Sequence, residues 1–365
     1  MHLAHLRLRD FRNYDRLDAD FSPGFHLLLG RNAQGKTNLL EAVYLMSTLR
    51  SFRGVGSAQL VRQGKASYFV GGRVVGVGTH DIRMAWSRTE RRLRLDQQPV
   101  KRLTDYLGTL RTVVFCTEDL QLVKGAGRIR RRFMDLLLSQ AQPSYLPLLQ
   151  RYMRAVRSRN TLLKQSRPDT GSLDGFSAEM VKLGNDLMHH RRTLVPRLAD
   201  MAGRAFDRIA PDAEELRIEY QPRVKADFAE ELDKAHTREL AQRTTLIGPH
   251  RDDLKLQLNE RSAADYASEG QKRTVAIALK MAQAEYLTET HGAPPVLLID
   301  DVMGELDASR RAGFLPLLQR SGDGRGQVFM TCTEENWPRE LGEKLNSWQV
   351  EAGQLNPSGS HDPPS

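Results

Sequence analysis

The chain has 365 residues, 40% of them apolar, with 54 lysines and arginines against 45 acids, a net charge of +9 and only two cysteines. That length favours two lobes over one core, and two isolated cysteines, Cys116 and Cys332, argue against a disulfide framework or a cysteine-built zinc site and read as core residues. No run approaches the ~18 to 20 uninterrupted apolar residues of a membrane span, the start carries no signal-peptide core, and the positive excess suits a polyanion.

In chain order, residues 6–11 and 17–21 read as a hairpin of alternating polarity. The apolar strand Phe25-His26-Leu27-Leu28-Leu29 then runs into Gly30-Arg31-Asn32-Ala33-Gln34-Gly35-Lys36-Thr37, the G-x-x-x-x-G-K-[ST] spacing of a phosphate-binding loop, and 38–46 reads as the helix behind it. Glycines let backbone N–H groups wrap a phosphate, and the new helix adds the positive end of its dipole. Gly30, Arg31, Asn32, Ala33, Gln34, Gly35, Lys36, Thr37 and Asn38 are therefore candidate nucleotide contacts, with Lys36 reaching the outer phosphates and Thr37 ligating Mg²⁺. Strands at 68–75, 82–86, 91–95 and 112–115 complete a strand-rich first lobe, residues 1–118.

From 119 the pattern turns helical. Residues 128–140, 145–165 and 177–209 carry apolar positions three and four apart, with a turn or loop at 166–172. Strands at 216–220 and 254–258 flank a helix at 228–242, and a long helix follows Ser268-Glu269-Gly270-Gln271 to about 290, where Pro294-Pro295 stops it. The expected second lobe is residues 119–292. Residues 293–352 return to the first lobe through a strand at 296–299, a helix at 308–320 and a strand at 328–331, and 353–365 is expected to be a disordered tail.

A phosphate loop needs a carboxylate to hold Mg²⁺. Val113-Val114-Phe115-Cys116-Thr117-Glu118-Asp119 and Val296-Leu297-Leu298-Ile299-Asp300-Asp301 compete for that place. In the second, four apolar residues run straight into two acids, so the carboxylates emerge at the carboxyl end of a buried strand; Asp300 is assigned to the metal and Asp301 to water activation. Asp300 lies 264 positions (300 − 36) beyond Lys36, so one nucleotide-binding lobe is split by a large insertion.

Taken in order, the phosphate loop, Ser268-Glu269-Gly270-Gln271, the apolar run ending in two acids, and Gly304-Glu305-Leu306-Asp307 resemble the Walker A, signature, Walker B and D-loop series of ABC-type ATPases. Asp10-Phe11-Arg12-Asn13-Tyr14, Ser51-Phe52-Arg53, Glu118-Asp119-Leu120, Arg130-Arg131-Arg132-Phe133-Met134-Asp135 and Gly248-Pro249-His250-Arg251-Asp252-Asp253 sharpen the match. Over about residues 1–335 the chain closely resembles the RecF family of bacterial recombination mediators, on the SMC-like branch. The resemblance implies an α/β, ABC-type P-loop ATPase head split by a helical lobe, without a long coiled coil. It implies an ATP- and Mg²⁺-dependent homodimer in which Ser268, Gly270, Gln271 and Asp307 complete the partner's nucleotide site, Ser268 also acting in catalysis. It further implies weak DNA-dependent ATPase activity, binding to duplex, gapped or junction DNA, work with RecR and RecO to place RecA, a link to the SOS response, and a cytoplasmic, nucleoid-associated location. Another ABC-type ATPase, or an ATP-binding scaffold without DNA binding, stands as the alternative.

Two positions depart from the ABC transporter pattern. Asp301 stands where glutamate is common, and Met330-Thr331-Cys332-Thr333-Glu334 holds no switch histidine; no Q-loop glutamine is assigned. For DNA, the candidates are Arg128, Arg130, Arg131, Arg132, Arg151, Arg154, Arg157, Arg159, Lys164, Arg191 and Arg192, with Arg50 and Arg53 at either DNA or the dimer partner. No aromatic array suggests base stacking, so duplex backbone contact is expected. His250 is read as structural at least as readily as catalytic, and His189 and His190 lack companions for a zinc site.

Overall fold

Alternation at the N-terminus sets the first sheet. In the computed structural model, which describes residues 1–210, 214–322, 326–333 and 345–358, Leu6 and Leu8 of β1 (His2–Phe11) point into the core while Arg7 and Arg9 point away, and β2 (Tyr14–Asp20) pairs with it antiparallel. After β3 (Gly24–Leu29) and α1 (Lys36–Thr48) come β4 (Ser67–Val75), β5 (Thr79–Ser87), β6 (Arg91–Leu95) and β7 (Gln98–Pro99). They extend the hairpin into a six-stranded antiparallel sheet of order β2-β1-β4-β5-β6-β7. Val70, Val74, Ile82 and Met84 continue its buried face. The short, apolar β8 (Thr112–Phe115) belongs to a second sheet.

The inserted segment supplies α2 (Gln121–Lys124), α3 (Gly127–Ala141), α4 (Tyr145–Leu163) and α5 (Thr170–Ile209), then β9 (Leu216–Gln221), α6 (Phe228–Gln242), β10 (Asp253–Leu258), β11 (Arg261–Ser262), α7 (Ala263–Tyr266) and α8 (Glu269–His291). β11-β10-β9 form a small antiparallel sheet. The turn expected at 166–172 is shorter than read, because the Asp169 carboxylate accepts the Ser172 N–H at 3.1 Å and starts α5 at Thr170.

The chain then returns as β12 (Val296–Asp300), α9 (Ala308–Gly322), β13 (Gln327–Cys332), β14 (Leu345–Glu351) and β15 (Gln354–Pro357). The second sheet has the order β15-β14-β3-β13-β12-β8, parallel throughout except for the edge hairpin β14-β15. β12 and β13 are buried along their whole length, as parallel strands covered on both faces must be. No described helix is long and apolar enough to cross a membrane.

The chain divides into one unit of Met1–Asp119, Arg204–Ala213 and Ile277–Ser365 and another of Leu120–Gly203 and Glu214–Ala276. Two boundaries read from sequence are thereby corrected. The second lobe ends at Ala276 rather than 292, since the later part of α8 buries Ile277, Leu279, Met281 and Leu287 as core of the first unit. The expected disordered tail begins with a strand: Gln354–Pro357 is polar, but its register with β14 is made by backbone groups, which need no apolar side chains. Residues 359–365 of that tail lie outside the described residues.

Candidate functional site

The phosphate loop sits between β3 and α1, and its shape is imposed from three sides of the first unit. Asn13 Nδ2 donates to the Gln34 carbonyl at 2.8 Å, and Asn38 Nδ2 donates to Asn13 Oδ1 at 2.8 Å. The buried Tyr14 hydroxyl donates to the Gly35 carbonyl at 3.0 Å. At the turn joining β14 and β15, Gly353 N–H donates to the Gln34 carbonyl at 3.0 Å and Ala352 N–H to Gln34 Oε1 at 2.8 Å. Gly30 has no alternative, because a Cβ there would lie 2.4 Å from the Val350 carbonyl oxygen.

Behind the loop, α1 buries an acid. Glu41 is fully buried, yet Arg12 binds it with two nitrogens at 2.7 and 2.9 Å and the Ser51 hydroxyl donates to it. Ser51 Oγ in turn accepts the Arg53 N–H at 3.1 Å, so the same acid fixes the loop that carries Arg53.

At the carboxyl end of β12, Asp300 Oδ1 accepts the Thr37 hydroxyl at 2.8 Å and the Thr331 hydroxyl at 3.0 Å. Thr331 Oγ1 also accepts the Asp301 N–H at 3.0 Å. One hydroxyl on β13 thus orients both acids. Burial raises the Asp300 pKa, the Thr37 and Thr331 hydrogen bonds oppose the rise, and the like charges of Glu118 and Asp301 add to it. Asp301 is exposed at φ 56°, a left-handed conformation uncommon for a residue with a side chain. Lys36 Nζ donates to the Gly30 carbonyl and, at 3.0 Å, to the Arg31 carbonyl. Burial lowers the Lys36 pKa, and Asp301 and Asp300 pull it back up.

These groups border an open cavity of about 460 Å³ lined by 32–38, Arg53, Thr117, Glu118, Asp300, Asp301, Thr331 and Thr333. Gly30 and Arg31 do not line it; their carbonyls receive Lys36 instead. Sequence reasoning set 113–119 and 296–301 against each other as acid suppliers, whereas β8 pairs parallel with β12 and both deliver a carboxylate to the cavity. Setting the two stretches as rivals gives Glu118 no role in the site, and the sequence places Arg53 at DNA or the dimer partner, whereas both residues line this cavity.

The residues fit Mg²⁺. Thr37 Oγ1 and Asp300 Oδ1 stand 2.8 Å apart, as two ligands on one cation do, and no group of three or more metal-binding side chains is found among the described residues. Mg²⁺ commonly takes one or two protein oxygens and completes its shell with phosphates and water.

The signature stretch lies in the second unit and forms a reciprocal cap: Ser268 Oγ accepts the Gln271 N–H at 3.2 Å, and Gln271 Oε1 accepts the Ser268 N–H at 2.6 Å. The Gln271 amide also donates to Glu214, so its side chain is committed within the unit. Asp307 caps α9, accepting the Arg310 N–H at 2.9 Å and pairing with the Arg310 guanidinium.

Four of the ten arginines assigned to DNA on the helical lobe serve the fold instead. Arg159 is buried against Glu239 at 2.7 Å, Arg191 bridges Asp135 at 2.8 Å and Asp252 at 2.9 Å, and Arg130 grips Asp253 at 2.7 and 2.8 Å. Arg131 donates to the Asp252 carbonyl. Exposed cations remain at Arg128, Arg132, Arg154, Arg157, Lys164 and Arg192, while Arg151 is exposed and pairs with Glu179 at 3.3 Å. His250 belongs to this structural network: its Nδ1 meets the Tyr152 hydroxyl at 2.7 Å, and burial lowers its pKa to about 4.

The family model RecF/RecN/SMC N terminal domain matches residues 2–354. The chain is 37% identical to the DNA replication and repair protein RecF of Lactococcus lactis subsp. cremoris over 358 residues, covering 97% of this chain and 99% of that protein. The chain belongs to the RecF family. The RecF of Symbiobacterium thermophilum is 38% identical over 93% of this chain and 95% of its own length. A solved structure of the recombination mediator protein RecF with ATP, in the RecFOR pathway, superposes with a TM-score of 0.89 at 28% identity, covering 98% of each chain. The fold is accordingly the SMC-like, ABC-type ATPase head of RecF proteins.

Proposed function

We propose that this chain is an ATP-driven, dimerising DNA clamp that acts as a recombination mediator. The observation that carries the reading is the single cluster of Thr37, Asp300, Thr331 and Asp301 at the mouth of a phosphate loop whose lysine is in place. Bound ATP and Mg²⁺ supply the phosphoryl group and the charge that polarises it. Loop N–H groups and Lys36 bind the phosphates, Thr37 and Asp300 hold the cation, and Thr331 sets the direction of both acids. Asp301 accepts the proton of the attacking water; its short side chain suits slow turnover. Ser268 and Gly270, at the start of α8, complete the nucleotide site of a second copy, with Gln271 shaping the turn and Asp307 placed for the dimer contact.

The relatives' names support work in DNA replication and repair within a RecF, RecO and RecR pathway, and this reading extends to RecA placement at gapped DNA, SOS induction and a cytoplasmic, nucleoid-associated site of action. Nucleotide binding and turnover by wild type, Lys36→Met and Asp301→Asn test the site. Lys36→Met should lose binding, and Asp301→Asn should bind normally and lose turnover. Wild-type turnover by Asp301→Asn would refute its role.

A further inference from the structure

The outward face of the antiparallel sheet in the first unit has no part in the nucleotide site. Register places Arg16 opposite Arg9, Arg9 opposite Phe69, Phe69 opposite Ala85 and Ala85 opposite Arg92, one straight row across five strands. At ~4.8 Å per strand the row spans ~19 Å. The next row carries Arg7, Gly71, Arg83 and Arg94. The acids on this face are largely occupied: Asp81 by Arg7 at 2.9 Å and Arg83 at 2.5 Å, Glu90 by Arg92 at 2.5 Å, Asp18 by His5 at 3.0 Å. Arg9, Arg16 and Arg94 are exposed and have no carboxylate partner among the described residues.

Phe69 stands at the centre of the row. A Cβ on Gly71 would come within 2.8 Å of Phe69 Cζ, so the ring packs against the glycine, and the residue is only half-buried. Two cavities, of about 260 and 370 Å³, meet at Arg9 and Phe69. Packing against a strand glycine accounts for the buried part of the ring. It does not account for the uncompensated arginines ranged on both sides of it.

We infer that this sheet face is a docking surface for single-stranded DNA, with a base stacked on Phe69 and phosphates on Arg9, Arg16 and Arg94. A sheet face with a central aromatic offers an unpaired base a stacking platform, whereas a duplex has no free base face to present. The inference rests on the DNA-binding reading above and adds a second, strand-selective surface on the other unit from the helical lobe's cations.

Anisotropy with a short fluorescent oligo(dT) and with a duplex tests it, using full-length wild type, Phe69→Leu and Arg9→Gln/Arg16→Gln. Melting and fluorescent-nucleotide binding serve as fold controls, since none of these residues touches the phosphate loop cavity. Phe69→Leu keeps Gly71 covered and should weaken single-strand binding at least about fivefold, the worth of one stacked base, while leaving duplex binding unchanged. The arginine pair should lower the salt slope for the single strand by about 1.4. Equal losses on duplex and single strand in the arginine variant, with Phe69→Leu silent, would make this a duplex phosphate surface and overturn the inference. Wild-type binding by all variants would place DNA elsewhere, overturning the inference but not the clamp. A wild type that binds no DNA with or without ATP would defeat the clamp reading itself.

Discussion

A methyl group at Gly353 is predicted to disable a loop more than three hundred positions away in sequence. Gly353 has φ 78°, and a Cβ there would sit 2.6 Å from the Asn13 carbonyl oxygen. Left-handed backbone costs an L-residue ~1 to 2 kcal/mol, and a backbone oxygen at that distance cannot yield as a side chain would. Gly353→Ala therefore lifts the turn from Gln34, losing the 3.0 and 2.8 Å hydrogen bonds that fix its carbonyl and side chain. At ~0.5 to 1.5 kcal/mol each, the pair is worth ~1 to 3 kcal/mol, so nucleotide affinity should fall roughly 5- to 150-fold as binding now has to order the loop. Titration with a fluorescent ATP analogue measures this. Ala352→Gly is the control: Ala352 already has φ 47°, glycine relaxes that strain and keeps the N–H, and binding should stay within about twofold of wild type. Affinity of Gly353→Ala within about twofold of wild type would refute a positioning role for the β14-β15 turn.

Other perturbations follow from the same contacts. Thr331→Val keeps the volume but removes a donor to Asp300, so the Asp300 pKa rises further and Mg²⁺-dependent nucleotide binding should need a higher pH, read as an alkaline shift in a binding–pH profile. Glu41→Ala strands Arg12 in a buried site and should cost ~3 to 5 kcal/mol, lowering the melting temperature, whereas Arg53→Ala, an exposed-loop change, should weaken nucleotide binding with little effect on melting. His26 is buried, donates from Nε2 to the Ser22 carbonyl at 2.7 Å and accepts the Trp348 indole N–H at 3.0 Å, and burial lowers its pKa to about 4. The unfolded chain then binds more protons than the folded one between about pH 6.5 and 4, so stability should fall as pH drops through that window, and His26→Gln should flatten part of the slope in thermal melts.

The phosphate loop and the acid-ended strand were legible because each is local: the eight residues 30–37 and the six residues 296–301 carry the chemistry directly beside the strand or helix that presents it. Long helices were legible for the same reason, and α6 runs from Phe228 to Gln242 as its periodicity reads. What escaped depends on distant pairing. In β14 the buried positions are Ser347 and Val350, which gives no alternation to read, and β15 is polar because its backbone does the pairing. Arg159 and Arg191 look like any helical cations in sequence; their partners Glu239 and Asp252 lie 80 and 61 positions on (239 − 159; 252 − 191), and only the fold shows that these charges are internal. The row of Arg16, Arg9, Phe69 and Arg92 is likewise assembled by register from four separate strands.

The clamp is tested most directly by sedimentation with duplex DNA in ATP, in ADP and without nucleotide, comparing wild type with Ser268→Arg. The account predicts an ATP-dependent dimer that binds DNA, and a Ser268→Arg protein that binds ATP yet stays monomeric. A wild type that remains monomeric in ATP and ignores DNA, or a Ser268→Arg protein that dimerises normally, would contradict it.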